Sequence, residues 1–212
     1  MGNPLARSQL FTFDVYGEMA VFCAGFHVER YSLDVMPPTA GKGVFECVLG
    51  KKELDWHVVE IQILQPIHRT SFMINEVKGK PKQPFLVYAS RTQRMTTALV
   101  DVGYRVTAYF TLSSHAREED SIPKFETMFR TRMTRGQTWR QPFLGAKEMV
   151  GHIVEPRLSK KPIELSREIG LIPHSWIYGP ERKCLFFSAR IDNGVVRVPE
   201  LSAVLRENGV QA

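Results

Sequence analysis

Hydrophobic and polar positions alternate along this chain in a way that predicts short strands separated by two helices. Residues 10–23, LFTFDVYGEMAVFC, open with Phe11, Phe13 and Val15 at a period of two, which predicts a first strand bending at Gly17. Pro37-Pro38-Thr39 then supplies a stiff entry and an N-cap for a helix over about 38–49, with Val44, Phe45, Cys47, Val48 and Leu49 as its apolar run. Residues 54–64 alternate again, placing Val59, Ile61 and Ile63 on one side of a second strand that Pro66 ends. Residues 100–110 read as a third strand. Ile122-Pro123 opens a second helix, whose Phe125, Met128, Phe129 and Met133 form a stripe at i, i+3, i+4 and i+8, and Gly136 is its stop. Residues 146–154 complete the series as a fourth strand.

The stretch between the second and third strands breaks the pattern. From 68 to 98 there is little core-forming material, and His68-Arg69, the lysines Lys78, Lys80 and Lys82, and Arg91 to Arg94 make it basic. It reads as a basic insertion in the form of a flexible hairpin. The order is therefore β-α-β-(insertion)-β-α-β, an α+β arrangement of the ferredoxin-like or RNA-recognition-like kind, over residues 1–155. Beyond Pro156, the segments 171–178 and 185–198, the latter turning at Asp192-Asn193-Gly194, predict a small C-terminal antiparallel β extension over 156–212.

Composition adds charge to this picture. Lys and Arg number 28 against 22 Asp and Glu, a net charge of +6 and a pI near 9.3, which favours a polyanionic partner. Cys23, Cys47 and Cys184 are odd in number and lack a Cys-x-x-Cys spacing, so neither a disulfide framework nor a zinc site is indicated, and a reducing cytoplasm fits. The N-terminal residues are too polar for a signal peptide, and no apolar run approaches the roughly 18 residues needed to span a membrane.

Three groups of residues invite a chemical reading. Gly41-Lys42-Gly43 looks at first like a phosphate-cradling loop, but no hydroxyl residue follows the lysine to hold magnesium, so it reads instead as the first turn of the helix carrying a lysine. Of the histidines, His57 and His152 lie inside strand patterns and His174 follows Pro173, all suited to structural roles, whereas His68 and His115 lie in loops beside Arg69 and Arg117, where a general acid or base can meet a phosphate. The densest cluster is Lys124, Arg130, Arg132, Arg135, Arg140 and Lys147, interleaved with Gln137, Trp139 and Gln141. Guanidinium forks suit phosphate oxygens, and an exposed indole can stack on an unpaired base. The competing reading is a solvated helix face beside a core tryptophan.

Several blocks, in order and at matching spacing, resemble a known family. HVERYSLDVMPPTAGKGVFECVLG at 27–50, LQPIHRTSFMINEV at 64–77, DVGYRVTAYF at 101–110, RGQTWRQPFLGAKE at 135–148 and LFFSARIDNGVV near the C-terminus are similar to CRISPR-associated protein family five, subtype Dvulg, of type I-C systems. The resemblance implies a subunit of the Cascade surveillance complex. Such a subunit binds the 5′ repeat-derived tag of the crRNA, sits beside backbone and large subunits, and meets target DNA only through the guide. It implies no cofactor and no metal, and an RNA-binding set of Lys42, Arg69, Lys124, Arg130, Arg132, Arg135, Trp139, Arg140 and Lys147. Lys42 would contact phosphate with help from the positive end of its helix.

Many members of that family cut their own precursor RNA without metal. The resemblance assigns this chemistry to a tyrosine near the end of the first helix and a lysine-histidine pair at the start of the second. Here those positions hold Leu49, Lys124 and Phe125. Leucine and phenylalanine transfer no proton, so the sequence predicts an RNA-binding subunit without nuclease activity. Its alternative is a metal-independent endoribonuclease with a relocated base, His115 or His68.

Overall fold

A computed structural model describes residues 6–23, 30–77, 79, 83–178 and 182–210. The chain runs β1 (Phe11–Ala20), β2 (Arg30–Tyr31), α1 (Pro38–Val48), β3 (Leu54–Ile63), β4 (His68–Val77), β5 (Arg91–Leu112), α2 (Ile122–Thr134), β6 (His152–Val154), β7 (Arg167–Ile177), β8 (Lys183–Ile191), β9 (Val195–Arg197) and α3 (Leu201–Glu207). It is a mixed α/β protein. The main sheet has the order β6-β1-β5-β3-β9, antiparallel throughout, with β4 antiparallel and the short β2 parallel to the first half of β5.

Both long helices lie on one face of this sheet, because one face carries the aromatic residues. Phe13 from β1 meets Phe45 of α1 at 4.3 Å between ring centroids, Phe11 meets Phe129 of α2 at 4.7 Å, and Trp56 of β3 lies within 5.0 Å of both helix phenylalanines. Burying side chains of this size is the largest stabilising contribution a domain of this length can assemble. Gly41 lets α1 settle closely, since a Cβ there would stand 3.2 Å from Val106 Cγ1. Gly43 points into open space. The two glycines therefore serve packing and exposure, and no phosphate loop is formed.

The opposite face is closed by a charge pair. Arg105 on β5 donates to both carboxylate oxygens of Asp14 on β1, at 2.7 and 3.0 Å, and Asp14 is fully buried. The same guanidinium donates to the Arg157 and Lys160 carbonyls at 2.7 and 3.3 Å, and the Arg157 N–H donates to Asp14, so the segment after β6 is strapped across this face. A buried bidentate pair with its remaining valences filled holds position well, although its net stabilisation is modest.

Five sequence expectations change on this framework. The stretch 68–98 is a hairpin, as expected, but one built into the sheet: β4 forms ten consecutive antiparallel pairs with Arg91 to Val100, making an arm whose strand continues directly into the core as the rest of β5. Lys78, Lys80 and Lys82 lie outside the described residues. Val59 does not share a side with Ile61 and Ile63, because a bulge between Val58 and Glu60 resets the alternation and puts Trp56 and Val58 on the core face instead. The fourth strand is only His152–Val154, since residues 143–151 fold back through a Phe143 to Val150 bridge. The C-terminal extension is β but not wholly so: after the β7–β8 hairpin, Asn193 and Gly194 at positive φ turn the chain into β9, which adds to the main sheet beside β3, and α3 follows. Lastly, Lys42 stands in the second turn of α1, and Thr39 makes no cap, because Pro37 is the N-cap residue.

Candidate nucleic-acid interface

The C-terminal end of α1 is where sequence-distant cations and an aromatic ring converge. Gly136, at φ 61°, closes α2 with Gly136 N–H to the Met133 carbonyl and Gln137 N–H to the Arg132 carbonyl, which turns the following loop back toward α1. Trp139 N–H then donates to the Cys47 carbonyl at 3.0 Å, and its indole N–H donates to the Glu46 carbonyl. A side chain at position 50 would collide with that ring, since a Cβ on Gly50 would lie 2.6 Å from Trp139 Nε1. Glycine there is what lets the indole lie down on the helix end.

Trp139 is nevertheless 57% exposed, and the Arg140 guanidinium lies 5.1 Å from its ring centroid and 5.4 Å from that of Phe143. Arg140 Nε is 3.2 Å from the Cys47 sulfur, whose thiol is pushed up by burial and so stays protonated. Arg140 and Lys42 both stand 4.0 Å from the Glu46 carboxylate. The result is an exposed indole with a cation on its face and a second cation one helical turn away, held apart by one carboxylate. Ring and guanidinium together offer a base a flat surface and a phosphate a charge.

The remaining members of the expected set divide. Arg132 donates to the Val48 carbonyl at 2.7 Å and so caps α1 from α2, leaving it partly buried. Arg130 and Arg135 are exposed on α2, with no carboxylate within ion-pair distance among the described residues. Lys124 is held at 2.8 Å by Asp120, which raises the lysine and lowers the carboxyl, so both stay charged. Arg69 lies apart from this group: it pairs with Asp34, which also takes Arg167, and it covers the Tyr31 ring at 5.1 Å. Lys147 also lies apart, on the rim of a 650 Å³ cleft at the other end of α1, with Arg30, Thr39, Gly43 and Glu148.

Leu49 and Phe125 are both in the core. Leu49 is fully buried at the end of α1, where its carbonyl accepts from Trp56 Nε1 at 3.3 Å, and Phe125 is 3% exposed and edge-on to Phe110. Among the histidines, His57 and His174 are held neutral: burial pushes both down, and Lys42 pushes His57 down further. His152 and His68 are exposed on β6 and β4. His115 is exposed in the loop before α2, its N–H donating to Ser113 Oγ. No group of three metal-ligating side chains occurs among the described residues, and no helix there is long and apolar enough to cross a membrane.

Sequence reasoning missed one aromatic group outright. Trp176 near the end of β7 and Tyr178 just beyond it lie under one cation, since Arg182 stands over both rings, 4.1 and 5.3 Å from their centroids. A Trp-x-Tyr spacing in a strand, followed four residues later by arginine, is the signal that was available.

A basic mixed α/β protein that presents exposed aromatic rings under guanidinium groups has the kind of surface that nucleic-acid-binding proteins use. Comparison with known proteins makes the class particular. The family model described as CRISPR-associated protein (Cas_Cas5), in its Cas5d form, matches residues 11–170 of the 212. The chain belongs to this family, the Dvulg subtype of type I-C. Two curated relatives are each named CRISPR pre-crRNA endoribonuclease Cas5d. The one from Thermus thermophilus is 31% identical and covers 87% of this chain and 89% of its own, and the one from Mannheimia succiniciproducens is 27% identical and covers 89% and 94%. A solved structure described as a CRISPR-associated protein superposes with a TM-score of 0.73 at 20% identity, covering 94% of this chain and 96% of that one. A chain of a CRISPR RNA-guided surveillance complex superposes at 0.53 and 15% identity, covering 90% and 91%. At such identities the likeness is one of fold.

Proposed function

We propose that this protein is the guide-RNA-binding subunit of a type I Cascade-like complex, that it caps the 5′ repeat-derived tag of the crRNA, and that it does not cut the repeat. The observation that carries the reading is the burial of Leu49 and Phe125 in the aromatic core, at the two positions where the family resemblance assigns proton-transferring groups. The binding half of the reading rests on other residues, Trp139, Arg140, Lys42, Arg130 and Arg135, none of which depends on the missing pair. The strand order β6-β1-β5-β3 with both helices on one face supports the finer assignment of a ferredoxin-like fold. Backbone and large subunits are its expected neighbours, with target DNA reached through the guide.

A second reading has one observation behind it. The loop that carries His115 ends in Asp120, whose carboxylate holds Lys124, so an exposed imidazole and the family lysine are anchored to one short segment. In that reading His115 takes the 2′-hydroxyl proton while Lys124 faces the phosphate.

Labelled repeat RNA incubated with the protein in EDTA separates the two. The expected result is a stable complex with no product. Loss of a positioned base removes about 10²–10⁴ in rate, and groups acting together are non-additive, so Lys124 alone leaves cleavage below detection. Site-specific cleavage to a 2′,3′-cyclic phosphate that disappears in His115→Ala would overturn the proposal and establish the second reading.

A further inference from the structure

We propose that the cleft between α1, β3, β7 and α3 is a separate binding site for one or two nucleotides of single-stranded RNA, with Trp176 as the stacking surface and Lys42 as the phosphate contact. The proposal rests on the guide-RNA reading and extends it past Lys42, which both share, to Trp176 and the cleft walls, which that reading does not use. The cleft measures 460 Å³, within the roughly 300–1,000 Å³ of pockets that bury a small ligand.

Its walls have a consistent chemistry. On the α1 side stands Lys42, half-exposed, and beside it His57, whose ring stacks on Tyr109 at 5.0 Å and 23°. Arg7 covers the Tyr109 ring at 5.2 Å. On the β7 side Trp176 is 38% exposed and Tyr178 75% exposed, with Arg182 lying over both. Two carboxylates, Asp55 and Glu200, also line the cleft and repel phosphate, so the strand's phosphate belongs at Lys42 and its base at Trp176.

Aromatic rings this exposed are also what a protein interface uses. Three observations favour RNA. The chain carries +6 overall. The guanidinium-on-indole arrangement of Trp176 repeats that of Trp139. Lys42 is shared, because it and Arg140 flank Glu46 at 4.0 Å each, so a strand leaving the Trp139 platform along α1 meets a second cation one helical turn on, at the mouth of this cleft.

Equilibrium binding of the 5′ tag RNA and of an unstructured oligouridine to the parent, Trp176→Ala, Trp176→Phe and Lys42→Ala tests this, with thermal midpoints as the folding control. Stacking on an aromatic contributes enough per base that Trp176→Ala should lose about tenfold in affinity, and Trp176→Phe should recover most of it. Lys42→Ala should flatten the dependence of log affinity on log salt by about 0.7. A 4-thiouridine probe should crosslink to the 174–182 peptide in the parent. Binding by the parent with unchanged affinity in Trp176→Ala and no crosslink to that peptide would overturn the cleft alone. Failure of the parent to bind either RNA would overturn the cleft and the guide-RNA reading together.

Discussion

The two halves of β5 share one backbone ladder and opposite surroundings. From Val102 to Phe110 the strand lies between β1 and β3, and every residue but Thr107 and Tyr109 is buried, Arg105 in its pair with Asp14. From Arg91 to Met95 it pairs as regularly, with β4, yet its side chains stand in solvent or only partly covered. Asp101, at φ 50°, marks the junction where the strand changes partner. A ladder can therefore run on where the core has ended, because backbone N–H and C=O groups pair without regard to what the side chains meet. Side-chain burial, not pairing, is what separates the stabilising half from the half left free for contact.

The comparison breaks most directly at Phe110. This ring is fully buried and lies among Phe11, Trp56 and Phe125 at 5.1 to 6.5 Å, so Phe110→Ala should cost about 3–5 kcal/mol in denaturant unfolding. A cost under about 1 kcal/mol would mean that the aromatic cluster is not the main support of the sheet.

A smaller effect should appear with pH on the same buried half. His57 stacks on Tyr109, and its imidazole is held below the ordinary value of 6.5 by burial and by Lys42. As pH falls through that value the unfolded chain takes up a proton that the folded chain resists, so stability falls on acidification until the folded imidazole also titrates. Thermal midpoints between pH 7.5 and 5.5 should decline, and in His57→Gln they should decline less steeply. Equal slopes would show that the imidazole does not report this environment.

The smallest effect belongs to the arm. Met95 is half-exposed opposite Met73, and Met95→Thr should change stability by no more than about 0.5 kcal/mol. A loss comparable to that at Phe110 would make the arm part of the cooperative core and remove the contrast.

Local pattern by itself determined the strands at Phe11–Ala20 and Leu54–Ile63, the two helices and the stop at Gly136, because alternation, a helical stripe and a left-handed turn are written in adjacent residues. It also determined that Leu49 and Phe125 carry no proton, since that follows from residue type. The β4–β5 arm was legible as a basic hairpin but not in its register or its continuity with the core strand, because a hairpin outside the core carries no apolar code to reveal them. Tertiary structure alone decided the rest. A one-residue bulge at Val59 put Trp56 and Val58, rather than Val59, on the core face with Ile61 and Ile63. Arg105, one cation among many in the sequence, became the buried partner of Asp14, while Arg140 came to rest on Trp139 and Arg182 on Trp176. Charge and aromaticity are properties of residues, but which cation is locked in a pair and which lies open over a ring depends on contacts between distant segments, 91 positions apart for Asp14 and Arg105 and 133 for Asp34 and Arg167. The sequence lists such groups; only folding brings them together.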